Sequence, residues 1–562
     1  MSSSTGDKIM KAGIVVIIAH IIFKITGLVQ NAVIGHFYSE TQTDAYVLAF
    51  EGILFMIFLI GEESIGPAFL PVFLEEKNKR SEKSAWRFAK GLLTLQTILL
   101  LLLAAFLLFN SSLIIKLLNF SSGKSFACSD DKSRFARTLI KYMAPGLIGL
   151  SLGTTTYMIL NGFKRFFWAA FGDALAKISV IVSILLFKNI SPVVALGIGF
   201  AVGGFAKLSG HVWGMRDKIR DLVSAKTVIQ SKAFRKFLVL IAPLILGILF
   251  AKFRDTVNNI LILNYPDNDG LLTANSWGMK FFKAAGWFVP YGVSIAMFPY
   301  FCDMIDRDDR KALGTFITDA SKILLLFFVP VTAGGVILSR PIISLIYEHG
   351  KFALTDWTAV ANQCYFLVLP FYSLEFFLMQ GFFADRRTVT PTVLGIVCSS
   401  VSVSISFCAV VLFQVHDVYG PVYAIAAVAL GYTFSRALKV FLLVFFLKKK
   451  IPAFKNSDFG SFLLKLLIIT AGTGAGAYFV RELFGNIAGT EGGLDRIMLA
   501  VQILTSTGAG GAAFLALVYI LKVKEFKTAV FWALKKIKRR EKSDDTRDQG
   551  PASVSEEQHE DS

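Results

Sequence analysis

Ionisable residues fall inside long apolar stretches at a few places in this chain, and their types suit binding rather than bond-breaking chemistry. Lys24 and Gln30 interrupt one stretch; Glu51, Glu62 and Glu63 interrupt the next, with Asp44 at its mouth. Lys252, Arg254 and Asp255, then Asn258 and Asn259, fall in a third, and Lys280 and Lys283 in a fourth. A charge at the centre of a membrane-spanning helix costs about 2.5–3.5 kcal/mol on insertion scales, so such residues normally face a polar interior. Cations in a cleft with low-dielectric walls hold phosphate groups well, which makes Lys24, Lys252, Arg254, Lys280 and Lys283 candidates for gripping an anionic ligand. Asp44, Glu62 and Asp255 are candidate acids of the same cavity, able to pair with those cations or with a coupled ion. Two readings of Lys252, Arg254 and Asp255 stay open, an internally paired structural cluster or a cavity wall; Lys283 either snorkels or faces the cavity. Glu62 and its neighbour Glu63 point about 100° apart, so at most one faces inward squarely.

Enzymatic chemistry is not expected. The chain has no Walker A loop, GxSxG, HExxH or Ser/His/Asp set of usable spacing. Its five cysteines, Cys128, Cys302, Cys364, Cys398 and Cys408, are scattered without a CxxC pair, so neither a disulfide framework nor a zinc site is suggested. No cofactor is expected; a coupled cation or the membrane potential would supply any driving force. The net charge of +18, from 58 Lys+Arg against 40 Asp+Glu, does not indicate nucleic acid. No basic stretch outside the apolar segments is interleaved with stacking aromatics, and cytoplasmic loops meeting anionic lipid explain the excess.

The elements that must position these charges are membrane helices. Only 17% of the 562 residues are charged and 54% are hydrophobic, with a mean hydropathy of +0.60. A soluble domain carries roughly 25% charged residues. Apolar segments able to cross a bilayer, which need about 20 residues, are read at 12–36, 44–74, 86–110, 135–163, 167–188, 190–214, 233–263, 271–303, 315–346, 356–384, 389–414, 420–447, 460–484 and 496–521. The expected fold is an all-α polytopic membrane protein of about 14 transmembrane helices. The first segment reads as an uncleaved span, because no A-x-A-like cleavage site follows a short apolar region. Basic residues alternate by loop. They crowd after spans 2, 4, 6, 8, 10 and 12 and are missing after spans 1, 7 and 11, which places both termini in the cytoplasm. The loop after span 3 is a partial exception, with Lys124, Lys132 and Arg134 beside Asp130 and Asp131.

A weak internal echo divides the chain. Pro145 precedes LNGFKR (160–165), and Pro370 precedes MQGFFADRR (379–387), a spacing of roughly 220–228 residues that fits two six-helix halves. The expected organisation is a first lobe over 1–232, a second over 233–450, two further helices over 451–522 and a cytoplasmic tail over 523–562. That tail begins basic and amphipathic, fit to lie on anionic lipid, and ends acidic and disordered. The deep charges on spans 1, 2, 7 and 8 would then sit on the first two helices of each lobe, facing one another across a central cavity.

Several stretches resemble the MurJ (MviN) family of lipid II flippases, within the multidrug/oligosaccharidyl-lipid/polysaccharide exporter superfamily. They are TDAYVLAF (43–50), GEESIGPAFLPVF (61–73), LNGFKRFFWAAF (160–171), LSRPIISLIYEHGKF (338–352) and FFADRRTVTPT (382–392), and the similarity runs from about 12 to about 450. The resemblance implies a V-shaped cavity between two six-helix lobes, alternating access of a lipid-linked disaccharide-pentapeptide, and a groove for the polyprenyl tail on the last two helices. It implies essential basic residues that fall on Lys24 and Lys280, and acids that fall on Asp44 and Glu62. It also implies a bacterial cytoplasmic (inner) membrane and a role in peptidoglycan synthesis. The sequence departs from the pattern at Gln30 and Ile57, where the family has arginines, and by lysine for arginine at both matched basic positions, which loses the bidentate fork. Lys252 and Arg254 look like additional charge that restores diphosphate binding from the opposite wall. The expected substrate is lipid II. A flippase for another polyprenyl-diphosphate-linked glycan, of exopolysaccharide or O-antigen type, is the nearest alternative. A cation-coupled multidrug exporter ranks below it, because its cavity should be net acidic or aromatic.

Overall fold

The computed structural model describes residues 25–118, 130–227, 229, 231–266, 268–286, 301, 304–305, 307–385, 387, 389–454, 458–487 and 496–526. Among them there is no strand. The first helix, α1, runs over 25–37. Ser39 then starts α2 (Glu40–Ala49) with a capping box: its hydroxyl accepts from the Gln42 N–H, and the Gln42 side chain accepts from the Ser39 N–H at 3.1 Å. One π-helical turn, Phe50–Leu54, joins α2 to α3 (Phe55–Lys79), so the second span is a single helix with an inserted residue in its middle. The rest of the first half is α4 (Glu82–Leu118), α5 (Asp130–Gly162), α6 (Phe166–Phe187), α7 (Pro192–Gly214) and the short α8 (Ile219–Ser224).

The second half follows. It comprises α9 (Lys232–Thr256) with a π turn at Val257–Ile262, α10 (Leu271–Gly286), α11 (Arg310–Ile337), α12 (Ser339–Tyr347), α13 (Thr355–Phe366), α14 (Leu369–Ala384), α15 (Val389–Phe407), α16 (Val415–Tyr419) and α17 (Val422–Lys448). Two more helices, α18 (Asp458–Ile487) and α19 (Arg496–Ile520), follow. They pack on α11 through Leu326, Phe462, Leu466, Ile469 and Val518.

Ten helical stretches among the described residues are long and apolar enough to cross a membrane, and they coincide with predicted spans 3 to 6 and 9 to 14. Spans 1, 2, 7 and 8 correspond to α1, α2–α3, α9 and α10. Large apolar side chains such as Phe109, Leu186, Phe441 and Phe479 point outward, as lipid-facing surfaces require. The fold is that of an all-α polytopic membrane protein, and the described residues are consistent with two six-helix halves and two added helices.

Buried side chains sort into cores that reveal how the halves meet. At the end where α1 stops and α2 starts, one core runs through both halves: Ile34, Tyr38, Leu48, Leu139 and Phe200 join Leu271, Trp277, Tyr347, Tyr365 and Val428. At the opposite end there are two separate cores. One gathers Phe69, Phe73, Trp86, Phe88 and Leu160 of the first half; the other gathers Phe301, Ile317, Phe377, Phe382 and Leu447 of the second. Among the described residues, the halves therefore share a core at one end and have separate cores at the other. The exception is α9, whose first turns place Phe234, Phe237 and Ile241 in the first half's core. Within the first half, helices approach backbone to backbone: a Cβ on Gly204 would lie 2.1 Å from the Gly146 carbonyl, so α5 and α7 meet only because glycine stands there.

Candidate functional site

The fused end holds a polar knot built around Asp44, which is fully buried on α2. The first N–H groups of a helix have no partner inside it. For α10 that partner comes from the other half. Asp44 Oδ2 accepts from the Gly270 N–H at 2.8 Å, and Oδ1 accepts from the Thr273 N–H at 2.8 Å and its hydroxyl at 2.6 Å. The negative charge also suits the positive end of the α10 dipole. Gly270 turns the chain into α10 with a φ of +94°, a conformation that favours glycine.

Lys132, at the start of α5 and 1% exposed, sits 3.3 Å from Asp44 Oδ2 and 3.7 Å from Asp269 Oδ1. The Thr41 hydroxyl donates to Asp269. Thus α2 and α5 of the first half clamp the entry to α10 of the second through two acids, one lysine and two threonines. Beside this knot, the segment between α12 and α13 closes over α1: the Lys351 N–H donates to the His36 carbonyl at 3.1 Å. Phe352 stacks on Trp277 there.

Deeper toward the separated end, a second polar layer crosses between the halves. Glu51 lies in the π turn of the second span and pairs with Lys280 of α10 at 3.3 Å, while the Ser276 hydroxyl donates to its other oxygen at 2.5 Å. Both partners are about a quarter exposed, so they face a space between the helices rather than a sealed core. The two π turns oppose one another here: a Cβ on Gly52 would lie 3.4 Å from Ile260. Such turns recur at functional sites because they re-aim side chains without ending the helix. Behind them, the Asn275 amide donates to Asn259, and the Tyr365 hydroxyl donates to the Asn275 side-chain oxygen at 2.8 Å. Lys283 is exposed one turn beyond Lys280.

The predicted site residues divide among these places. Asp44 belongs to the buried contact between halves, with both oxygens already engaged, and not to an open wall. Lys280 and Lys283 stand together on α10, Lys280 against Glu51. Arg254 turns into the second half, donating to Asp255 Oδ1 at 2.9 Å and to the Ser399 hydroxyl at 3.2 Å. Lys252 is half-buried on the same helix. Lys24 and the Glu62 side chain lie outside what the structure describes. Sequence reasoning did not place Lys132, Asp269, Thr273 or Glu51 in the site. Glu51 was visible as a deep charge, and Lys132 had a signal of its own as a basic residue in a loop that breaks the alternation.

The comparisons with known proteins agree with this architecture. The family model described as "Lipid II flippase MurJ" matches residues 33–490. A lipid II flippase MurJ of Thermosipho africanus is 25% identical over 466 residues, covering 82% of this chain and 90% of that protein. A probable lipid II flippase MurJ of Borreliella burgdorferi is 23% identical over 456 residues, covering 79% and 84%. Among solved structures, a lipid II flippase MurJ in an inward closed conformation superposes with a TM-score of 0.69 at 23% identity, over 90% of this chain and 98% of that one. An inward-facing multidrug resistance MATE transporter superposes with a TM-score of 0.61 at 14% identity, over 76% and 95%. The extent of the family match settles the assignment: the chain belongs to the lipid II flippase MurJ family.

Proposed function

We infer that the protein carries lipid II from the inner to the outer leaflet of the bacterial cytoplasmic membrane for peptidoglycan synthesis, by alternating access. The observation that carries this reading is the asymmetry of the contact between halves, fused around Asp44 at one end and split into separate cores at the other. A transporter with one face sealed and one face parted presents its binding surface to a single leaflet. The parted end is taken as cytoplasmic. Lys77, Arg165, Lys218 and Lys236 gather there, as the bias of basic loops toward the cytoplasm requires. Both termini then lie in the cytoplasm, and the lobes correspond to 1–232 and 233–450.

In this scheme the diphosphate-sugar head enters from the cytoplasmic side while the polyprenyl tail stays in lipid. Lys24, Lys280 and Lys283 are the cations that meet it. Glu51 holds Lys280 in place before the ligand arrives and gives way to a stronger anion, since two phosphates offer more acceptor oxygens than one carboxylate. Opening the far side requires Asp44 to release the start of α10. A ligand that binds both states equally would shift nothing, so the head group must hold the outward-open state more tightly than the knot holds the closed one. Transport, with no bond made or broken in the lipid, is the work assigned to the chain. The drive is the membrane potential or a coupled cation, with Glu62 and Asp255 as acids fit to carry one.

The test is depletion of a host's own flippase, rescue with this chain, and a leaflet-specific assay of lipid II. Rescue with lipid II appearing in the outer leaflet is expected. Good membrane expression without rescue would move the assignment to another polyprenyl-linked glycan.

A further inference from the structure

A second concentration of charge lies in the second half, around α14 and α17. Glu375 of α14 is 3% exposed, and both of its oxygens accept from Arg436 Nη1 at 2.7 Å; Oε1 also accepts from Lys439 Nζ at 2.6 Å. Arg436 Nη2 donates to the Tyr432 hydroxyl at 2.9 Å. Arg254, held by Asp255 and Ser399, lies over the same Tyr432 ring at 5.6 Å. Arg254, Arg436 and Lys439 stand against Asp255 and Glu375, and Lys252 and Lys283 also act on Asp255, so positive charge is in excess. An unbalanced charge near the middle of a bilayer is costly unless something of opposite sign meets it.

These cations line a cavity of about 580 Å³. It runs from Phe383 and Pro391, at the connection of α14 to α15, inward to Arg254, and Ser399, Ser404 and Ser435 add hydroxyls to its wall. Lysine has three N–H donors and arginine five. Lys439 gives one to Glu375 and one to Met379 Sδ, and Arg436 gives its donors to Glu375 and Tyr432, so both keep N–H groups beyond those already used. The remaining wall is apolar, and two of its members, Phe250 and Phe253 of α9, are well exposed on the helix surface. This wall is open because the first turns of α9 have left the second half to join the first half's core. The cavity thus combines an excess positive charge, spare donors, hydroxyls and an apolar edge.

We propose that it binds a phosphate monoanion, from the phosphodiester of an anionic phospholipid or from free phosphate. Its negative charge offsets the excess of cations, and phosphate oxygens accept from Lys439, Arg436 and the serines. A phospholipid would lay its chains along Phe250 and Phe253. Its test reads binding directly and needs no transport assay.

The full chain, purified in detergent, would be examined by native mass spectrometry with phosphatidylglycerol and with diacylglycerol, which lacks the phosphate. Its thermal unfolding would be followed with millimolar inorganic phosphate against chloride. Two variants separate the site from the fold. Lys439→Met removes one positive charge and its donors. Gly395→Leu fills the cavity without removing any charge; a Cβ there lies 3.3 Å from Lys439 Nζ, the end of a flexible side chain that has to shift by a few tenths of an ångström. Retention of phosphatidylglycerol but not diacylglycerol, weakened about tenfold in either variant, is the expected result, the size expected when one charge-assisted hydrogen bond is lost. Retention of the lipid without a phosphate effect assigns the lipid source, and a phosphate effect alone assigns the free anion. Binding of neither probe overturns the proposal, as does equal binding by the wild type and a folded variant.

Discussion

Asp44 is the residue on which the closed end depends. Its carboxylate satisfies two N–H groups and a hydroxyl at the start of α10 and balances the buried Lys132. Removing one partner of a buried ion pair costs about 3–5 kcal/mol, because the other charge is left in low dielectric. Asp44→Ala is therefore expected to lower the unfolding temperature in detergent and to make residues around Thr273 reachable by thiol reagents from the outer side. Asp44→Asn, which keeps one acceptor oxygen but not the charge, should fall between. An alanine variant as stable and as closed as the wild type would remove Asp44 from the gate. The sequence marked Asp44 as a charge at the mouth of an apolar span, but its partners lie 88 and more residues away in the chain. Nothing local predicts that an acid in the first half caps a helix in the second. Lys132 showed itself only as an oddity of loop charge, for the same reason.

At the scale of elements, the π turns and the closing segment set how the halves fit. Gly52 and Ile260 meet across the two π turns, where a methyl group would make ordinary contact and a longer side chain would not fit. Gly52→Ala is expected to leave rescue of a depleted strain unchanged. Gly52→Leu should wedge the turns apart, with an overpacking penalty of about 1–3 kcal/mol read as a lower unfolding temperature. The segment between α12 and α13 carries His349, whose ring lies 5.7 Å from that of His36. Burial, then Arg496 and His36, hold its imidazole below the ordinary histidine range. The folded segment thus favours the neutral ring. Its stabilising contribution is complete above the ordinary value of about 6.5 and is lost as pH falls through the lowered one. Mild acid should loosen this closure, seen as faster thiol labelling of a cysteine placed at Phe352, and His349→Gln should flatten that response. The helices themselves were legible from apolar length and basic loops, down to ten spans that coincide. The π turns were not, since an inserted residue leaves no mark on hydropathy.

For the whole molecule the decisive feature is which surfaces move. Hydropathy and an internal echo could announce two halves, yet they assign α9 by its place in the chain. The structure instead seats Phe234, Phe237 and Ile241 in the first half's core. Which contacts bridge the halves depends on the conformational state, and a single sequence encodes all states at once. Alternating access makes a sharp demand of this arrangement: the shared core around Tyr38, Trp277 and Tyr347 must part once in each cycle. Thr41 and Asp269 face each other across that seam, joined by a hydrogen bond. With the five native cysteines replaced, Thr41→Cys and Asp269→Cys joined by a short thiol-to-thiol linker should hold the seam shut. Rescue and outer-leaflet lipid II should then disappear on linking and return when a cleavable linker is cut, while the linker changes neither in a variant carrying either cysteine alone. Full transport with the seam linked would mean that the closed end never opens, and the lipid head would need a path that does not pass Asp44.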